Sequence, residues 1–558
     1  MTESKLYNNL LELCRIPSIS ETPGELKIAA KIYQLLKEIN YFHDHPELIN
    51  LCPIPEDKYN RSFVYALMQG KIKNPKTVIL LSHFDVVGVD DFGMAKELAF
   101  EPVLYTRHLK NNPQIELSEE ARADLESGDY LFGRGTMDMK FGIAAYIEML
   151  MKMEKELDSF PGNILFLSVP DEEANSAGML AAVDLLLSLK KEKQLEYTCC
   201  LISEPFFPKY PGDRTKYIYN GTIGKLLPVF YCVGKETHVG EPFSGLNPNL
   251  LTGKIIEKID SNPQLADSVK GHLTPAPVCL KQSDTKTAYS VQTPYSAYTY
   301  FNYMTLSKTP QEVMQLMVDI AQNAFKQVLA DIKEKADAWS KSNQSVSDHS
   351  DIGNSFNLPL IKPMVITYQE LYQWCFEKYG AKFESHIKDF IKNYWENASD
   401  GSGDLRDLSI EIVKEAHKFC PYREPMIVIF YAPPFYPHSD MQLPDSQVTK
   451  VSQYIQRLAK DVYQEDLEIE SFFPGLSDMS YLGLSNRIDV TELTKNFPVW
   501  DAGYHIPLTT IQQLNIPFIN IGPLGKDAHK FTERLCLSYS FDKAVPLIWA
   551  AIKNLLLF

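Results

Sequence analysis

Four continuous runs of apolar residues constrain the fold of this chain more than any other feature. They cover residues 78–82 (VILLS), 163–169 (NILFLSV), 197–203 (YTCCLIS) and 516–521 (IPFINI). A strand that is covered on both faces of a parallel sheet has such a run, whereas a half-exposed strand alternates. Helical patterns lie between the runs, at residues 140–157 and 178–190. This alternation predicts an α/β fold with a mostly parallel sheet covered by helices and connected by right-handed crossovers.

The hydrophobic pattern of the sequence changes near residue 217. Residues 222–233 alternate like a two-sided strand, and shorter strand-like and helical segments follow in turn. We therefore predict an inserted α+β domain at residues 217–440, with a helical extension at residues 325–418. The flanking segments, 1–216 and 441–558, form the two parts of the α/β domain in this prediction.

Composition restricts the environment and the partners of the chain. The formal net charge is −16, which disfavours binding to nucleic acid. The amino terminus lacks the pattern of a secretory signal, and no apolar run reaches the ~18 residues of a membrane span. The nine cysteines include no C-x-x-C pair, which favours buried, reduced thiols. We expect a cytoplasmic protein that binds neither nucleic acid nor a membrane.

Polar residues follow the carboxyl end of each apolar run, where open α/β sheets place their sites. These residues are His83, Asp85, Glu172, Glu173, Glu204 and His529, and Asp138 lies in a loop between the first two runs. Each has an ordinary explanation by itself, because paired glutamates often form a solvated face and an aspartate before a helix is usually an N-cap. Their convergence at one edge of one predicted sheet favours a metal site instead.

Seven motifs occur in a fixed order, namely HFDVVG, GRGTMDMKFG, PDEEANSAG, SEP, GTIGK, HVGEPFSGLNPN and GPLGKDAHKFTE. In this order they resemble the co-catalytic zinc family that contains aminoacylase, acetylornithine deacetylase, succinyl-diaminopimelate desuccinylase and carboxypeptidase G. Within that family, the long chain and the segment FFPGLSDMSYLG resemble the arginine-utilisation protein RocB. The resemblance implies a hydrolase that cleaves the amide bond of a small N-acyl amino acid or short peptide, with a link to arginine catabolism.

The resemblance assigns a role to each candidate residue. His83, Asp138 and Glu204 would hold one metal ion, and Asp138, Glu173 and His529 the other, with Asp138 shared. Glu172 would be the general base that activates a water between the ions, and Asp85 would orient His83. The implied cofactors are two divalent metal ions, zinc in the first place, with manganese or cobalt as alternatives. A cis peptide bond between Asp138 and Met139 is also implied.

The inserted domain resembles the lid domain of the same family. His238 matches a lid histidine that polarises the scissile carbonyl, and Asn247 matches its companion asparagine. Asp478 matches a residue in a substrate-contacting loop. An exposed loop histidine and a helix cap are the alternative explanations of His238 and Asp478. The resemblance further implies a homodimer through the lid domain, and the alternatives are that the helical extension at residues 325–418 blocks this dimer or creates another interface.

The sequence departs from the family at residues 300–305 (YFNYMT). This lid strand lacks the arginine that binds the substrate carboxylate in typical members. Arg134, Arg487 and Arg534 are the candidates to replace it. A small-molecule binding protein on the same scaffold and an aminopeptidase therefore remain alternatives.

Overall fold

The computed structural model of the protein describes residues 4–206, 209–210, 212–269, 271–344, 361–397, 403–439 and 446–557. The chain forms two compact units. The first unit comprises Met1–Ile223, Ser439–Leu484 and Pro507–Phe558, and the second comprises Gly224–His438 and Ser485–Ile506.

The strands of the described residues are, in chain order, β1 (Ile49–Pro53), β2 (Ser62–Gln69), β3 (Lys76–His83), β4 (Tyr130–Phe132), β5 (Asn163–Val169), β6 (Glu196–Ile202), β7 (Lys216–Tyr219), β8 (Gly224–Val233), β9 (Ser268–Val269), β10 (His272–Leu273), β11 (Val278–Asp284), β12 (Ser296–Thr305), β13 (Val365–Thr367), β14 (Met426–Tyr436), β15 (Leu467–Glu470), β16 (Phe518–Asn520), β17 (Gly525–Lys526) and β18 (Arg534–Cys536).

The α-helices of the same residues are α1 (Lys5–Cys14), α2 (Gly24–Lys37), α3 (Asn40–Asp44), α4 (Pro102–Asn111), α5 (Glu119–Ser127), α6 (Lys140–Lys155), α7 (Ala177–Glu192), α8 (Pro248–Ile259), α9 (Pro310–Gln344), α10 (Tyr368–Tyr379), α11 (Ala381–Asn397), α12 (Leu405–Phe419), α13 (Gln447–Tyr463), α14 (Val490–Lys495), α15 (Leu508–Leu514), α16 (Leu537–Tyr539) and α17 (Val545–Leu557).

The first unit is built on an eight-stranded sheet with the order β1-β2-β5-β3-β6-β16-β7-β15. The four predicted strands are β5, β3, β6 and β16, and they lie side by side and run parallel. Helices α6 and α17 contact this sheet, and α1 packs on α6. Val78 and Leu80 of β3 belong to this helix-covered core, while Ile79 and Leu81 are buried on the other face. The expectation of a mostly parallel sheet with both faces covered is confirmed.

The second unit is built on a five-stranded sheet with the order β11-β12-β8-β14-β13. Helix α8 contacts β8, β11 and β12, and helices α10–α12 share a second core with β8 and β14. These elements form the predicted α+β layer with its helical extension. Residues 345–360 and 398–402 of that extension lie outside the described residues.

Residues 485–506 belong to the second unit, although the sequence analysis placed them with the α/β domain. The reason is local packing. Tyr431 N in β14 donates to Asn496 O at 2.8 Å, and Val499 is buried in the second core. A domain boundary predicted from local sequence patterns does not detect a later segment that packs back onto the inserted domain.

The cysteines agree with the expectation from composition. All nine cysteines are unpaired, and seven of them are buried. Among the described residues, no helix combines the length and the apolarity that a membrane crossing requires.

Candidate metal centre

Strand register brings the candidate ligands to one edge of the eight-stranded sheet. His83, the last residue of β3, pairs with Val169, the last residue of β5. Asn520 at the end of β16 pairs with Ile202 at the end of β6. The segments that follow these strands, including residues 170–173, therefore leave the sheet beside His83.

The carboxylate of Asp138 lies between two imidazoles. Its Oδ1 is 3.2 Å from His83 Nε2, and its Oδ2 is 3.3 Å from His529 Nε2. Asp138 does not cap α6, because the cap residue is Met139. The Asp138–Met139 peptide bond is cis, as the resemblance implied. One carboxylate whose two oxygens face two different imidazoles is the arrangement expected of a ligand shared by two metal ions.

Three glutamates surround this central group. Glu173 Oε1 is 3.0 Å from His529 Nε2, Glu204 Oε1 is 3.6 Å from His83 Nε2, and Glu172 Oε2 is 4.0 Å from the same atom. Their side chains are at most 10% exposed, which excludes the solvated face considered from the sequence. Ligand atoms of His83, Asp138 and Glu173 all lie within 4.8 Å of one another. This donor set fits divalent cations such as zinc or manganese.

The electrostatics of the cluster agree with that fit. Burial raises the pKa values of Glu172, Glu173 and Glu204, that of Glu204 to about 8, and neighbouring carboxylates add to the effect. Burial alone would also raise the pKa of Asp138, but hydrogen bonds with His529 and His83 hold it well below its usual range. The raised pKa values show that the glutamates resist ionising side by side in the metal-free protein, and divalent cations would stabilise their ionised forms.

Asp85 lies next to His83 with both its backbone carbonyl and its carboxylate. His83 Nδ1 is 3.1 Å from the backbone carbonyl oxygen of Asp85, whereas the carboxylate oxygen Oδ1 is 3.6 Å away. The carboxylate instead accepts hydrogen bonds from Glu172 N and Glu173 N, each at 3.1 Å. The carbonyl therefore directs His83 Nε2 towards the carboxylates, and the side chain holds the backbone of the two glutamates.

Asn520 and Glu533 take part in the site but were not identified from the sequence. The Asn520 side chain accepts from Glu204 N at 2.9 Å and donates to Glu204 O at 3.0 Å, which fixes the backbone of that glutamate. Glu533 is buried and accepts from Arg134 at 2.8 Å and from Met137 N at 3.4 Å, beside Asp138. An asparagine inside an apolar strand was a usable signal for the first, and Glu533 is the last residue of the motif GPLGKDAHKFTE, to which no separate role was assigned.

Asp478 lies in the first unit and is 3% exposed. Within the described residues, neither of its carboxylate oxygens makes a hydrogen bond of good geometry. Burial raises its pKa to about 7. It does not cap the 3₁₀ helix Asp478–Leu482, because Ser477 takes the N-cap position. Asp478 is therefore a buried acidic group with unused acceptor oxygens.

His238 and Asn247 lie in the second unit. His238 is exposed in the loop after β8, and its Nδ1 accepts a hydrogen bond from Gly240 N at 3.0 Å. Asn247 is the N-cap of α8, where its side chain accepts from Asn249 N at 3.0 Å. Their roles towards substrate stay predictions from the motif.

The three arginines considered as replacements for the lid arginine are engaged with carboxylates of the protein. Arg134 is buried and paired with Glu533, and Arg534 is buried and paired with Asp124. Arg487, in the second unit, pairs with Glu312 at 2.9 Å. The buried pairs make Arg134 and Arg534 structural, so neither replaces the missing carboxylate fork.

Comparison with known proteins identifies the family. Residues 113–496, more than half of the chain, match the peptidase family M20/M25/M40. The uncharacterised protein YqjN of Bacillus subtilis (strain 168) is 38% identical over 556 residues, which is 100% of this chain and 97% of that protein. Protein RocB of the same organism is 33% identical over 541 residues, or 96% of this chain and 92% of that protein, which confirms the expected likeness to RocB.

A solved structure agrees at the level of the fold. The aminopeptidase PepT from Bacillus cereus ATCC 10987 superposes with a TM-score of 0.51 at 11% sequence identity, and the match covers 99% of this chain and 98% of that chain. The family match and the two sequence relatives establish that the chain belongs to the peptidase family M20/M25/M40 and is a metallohydrolase that acts on amide bonds.

Proposed function

We propose that the protein hydrolyses the amide bond of a small N-acyl amino acid or short peptide with two divalent metal ions, zinc in the first place. The observation that carries this proposal is the Asp138 carboxylate, whose two oxygens each face an imidazole, of His83 and of His529. Glu204 completes the ligands on the His83 side, and Glu173 those on the His529 side. When bound at this cluster, divalent ions supply Lewis acidity that polarises an amide carbonyl and acidifies water.

Glu172 is the proton carrier in this proposal. Its side chain is 10% exposed, and its Oε2 lies 4.0 Å from His83 Nε2, so it borders the ligand cluster. Its carboxylate accepts a proton from the attacking water and returns it to the leaving nitrogen. Such a transfer typically contributes about 10²–10⁴-fold to the rate. Burial raises the pKa of Glu172 above its ordinary value in the metal-free protein.

The test compares Glu172→Gln with Glu173→Gln, its neighbour in the chain. Metal content is measured by elemental analysis after loading with zinc, manganese or cobalt. Turnover is measured on a panel of N-acyl amino acids and dipeptides that includes derivatives of arginine. We expect Glu172→Gln to keep the metal content of the wild type and to lose at least about 100-fold in kcat. Glu173→Gln should lose metal as well as activity.

Glu192→Gln, at the exposed end of α7, is the control and should match the wild type in both measurements. Full turnover by Glu172→Gln would remove it from the mechanism. Wild-type protein that binds metal but cleaves no member of the panel would favour the binding-protein alternative.

The unused acceptor oxygens of Asp478 favour aminopeptidase activity as a second candidate function. A buried carboxylate whose oxygens make no hydrogen bond of good geometry is suited to the ammonium group of a free amino terminus. Asp478→Asn should then raise KM for dipeptides with a free amino terminus and leave KM for their N-acetylated forms unchanged. The control is Asp466→Asn, because the Asp466 side chain is 88% exposed. An equal change for both substrate classes would argue against recognition of the amine.

The link to arginine catabolism, the carbonyl-polarising role of His238 and the substrate contact by Asn247 rest on the resemblance. A homodimer through the second unit and a cytoplasmic location have the same support. Turnover of an arginine derivative in preference to the rest of the panel would support the first of these proposals. A loss of kcat in His238→Ala without loss of metal would support the second.

A further inference from the structure

The turn at residues 171–176 carries the two glutamates to which we assign different tasks. Asp171 and Ser176, at its ends, have φ values of +72° and +57°. This left-handed conformation is uncommon for residues with side chains and persists where surrounding contacts hold it. Within the turn, the carbonyl oxygen of Asp171 accepts from Ser176 N at 2.7 Å and from Asn175 N at 3.1 Å. These bonds close the turn, but contacts outside it decide how it is oriented on the sheet.

Two buried carboxylates anchor this turn. The first is Asp85, which holds the backbone N–H groups of both glutamates. The second is the side chain of Asp171 itself. Its Oδ2 accepts from Ala177 N at 3.0 Å, and its Oδ1 accepts from Arg61 Nη1 at 2.5 Å. Asp171 is fully buried, so the guanidinium supplies the positive charge that the carboxylate requires.

Arg61 is held in a single orientation. Asp57 Oδ1 accepts from Arg61 Nη2 at 2.7 Å and from Nε at 3.1 Å, while Asp57 Oδ2 accepts from the backbone N of Arg61 at 2.8 Å. The Tyr59 ring lies 5.0 Å from the guanidinium carbon, and Glu25 Oε2 lies 3.5 Å from Nη1. The Arg61 side chain is only 5% exposed. A fork that is fixed at one end by Asp57 can hold Asp171 rigidly at the other.

The register of the sheet explains why these residues meet. Strands β2 and β5 are antiparallel, and Val64 pairs with Ser168. Continuing this register three positions beyond that pair brings Arg61 opposite Asp171. The contact therefore forms where β5 ends and the turn begins.

We propose that Arg61 is a positioning residue for the metal centre. Its guanidinium, fixed by Asp57, holds Asp171 and thereby orients the turn so that Glu173 reaches the metal and Glu172 reaches the water. The inference deepens the proposed function and rests on it. Arg61 touches neither ligands nor substrate in this role, and it acts through Asp171 alone.

The test uses the full-length protein, depleted of metal by a chelator, in four forms besides the wild type. These forms are Arg61→Met, which keeps the aliphatic stem, Arg61→Lys, Asp171→Asn and the double variant Arg61→Met/Asp171→Asn. The first measurement is titration with Co²⁺, followed by the visible absorption of the bound ion, which reports its ligand geometry. The second is kcat and KM on any substrate that the panel identifies. Leu555→Ala is the control variant. It shortens a buried side chain of α17, so it lowers the stability of the protein without changing the turn.

We expect Arg61→Met to weaken Co²⁺ binding about 10- to 100-fold and to change the absorption spectrum. The fall in activity should lie in kcat rather than KM. Added guanidinium ion should restore part of the affinity, because it can occupy the space left beside Asp171. The double variant should bind Co²⁺ no more weakly than the weaker of the two single variants, because both substitutions break the same Arg61–Asp171 contact. Arg61→Lys keeps a charge but lacks the planar guanidinium that reaches Asp57 and Asp171 with different nitrogens, and should lie between wild type and Arg61→Met.

The outcomes separate this inference from the proposed function. Wild-type protein that binds no Co²⁺ would overturn the proposed function. Wild-type binding together with unchanged affinity and spectrum in Arg61→Met would overturn the positioning role and leave the proposed function standing. An equal loss of affinity in Leu555→Ala would assign the effect to stability and also overturn the role. If Arg61→Met fails to fold, Arg61→Lys and Asp171→Asn carry the same comparison.

Discussion

The carboxylate of Asp85 accepts three hydrogen bonds, from Glu172 N, from Glu173 N and from the Ser20 hydroxyl at 2.7 Å. The Asp85 side chain is fully buried. It fixes the backbone of Glu172 and Glu173, whose side chains carry the proposed chemistry. At the scale of single residues, the centre is thus supported by groups that need not contact metal. Asn520 does the same for Glu204 with its side-chain amide.

The first prediction at this scale concerns Asp85→Asn. The amide has one acceptor oxygen, so at least one of the two backbone N–H groups faces an NH₂ group instead of an oxygen. We expect a loss of about 1–3 kcal/mol in the free energy of unfolding, because a buried donor is left without a partner. Urea denaturation of the metal-free protein measures this. Ser20→Ala removes only the hydroxyl and should cost about 0.5–1.5 kcal/mol. Equal stability of Asp85→Asn and wild type would contradict the anchoring role.

The connection between β12 and α9 depends on a single carboxylate at the scale of elements. Asp267 Oδ2 accepts from the backbone N of Leu306, Ser307 and Lys308 at 2.7–2.8 Å, and Oδ1 accepts from Lys308 Nζ at 3.0 Å. Burial alone would raise the pKa of Asp267, but these hydrogen bonds hold it well below its usual range. The carboxylate therefore fixes the chain immediately before the 35-residue helix α9.

The sign of the resulting pH dependence follows from this lowered pKa. An aspartate in the unfolded chain has a pKa of about 3.9, whereas folded Asp267 takes up a proton only at lower pH. Its contribution to stability is therefore complete above about pH 5 and is lost as the pH falls below about 4. Asp267→Asn should be less stable than wild type at pH 7, and the difference should shrink at pH 3. Urea denaturation at both pH values measures it, with the exposed variant Asp319→Asn as control. A difference that does not change with pH would contradict the assignment.

At the scale of the whole molecule, each unit has its own hydrophobic core, and the candidate ligands all belong to the first unit. The clustered carboxylates repel one another in the absence of a cation, so the metal-free first unit should be the less stable form. Residues 1–223 supply most ligands, but His529 is supplied after the chain has passed through the second unit. Metal binding thus joins distant parts of the chain.

The prediction at this scale is that metal raises the melting temperature of the protein in a saturable way. Stabilisation of about 2.7 kcal/mol is expected at a metal concentration 100-fold above the dissociation constant. Calorimetry with and without Zn²⁺ measures the shift, and a chelator should reverse it. The double variant His83→Ala/His529→Ala should show no shift. A shift of the same size in that variant would place the binding elsewhere.

The sequence by itself determined the fold class and the residues that meet at the metal centre. The four central strands are continuous apolar segments. Such a run is a local property that can be read directly from the sequence. The candidate ligands were equally accessible, because His83 is the last residue of β3, and Glu173 and Glu204 lie within four residues of the ends of β5 and β6. The carboxyl ends of these three strands share one edge of the sheet.

Only the tertiary structure decided how those ligands are held. Arg61 and Asp171 are 110 residues apart, and Asn520 and Glu204 are 316 residues apart. Residues 485–506 join the second unit through pairing with β14, which no local pattern reveals. Hydrogen bonds between residues so distant in the chain depend on register and on packing. An arginine before a strand and an asparagine within one have many ordinary uses, so their roles emerged only once the fold had placed their partners beside them.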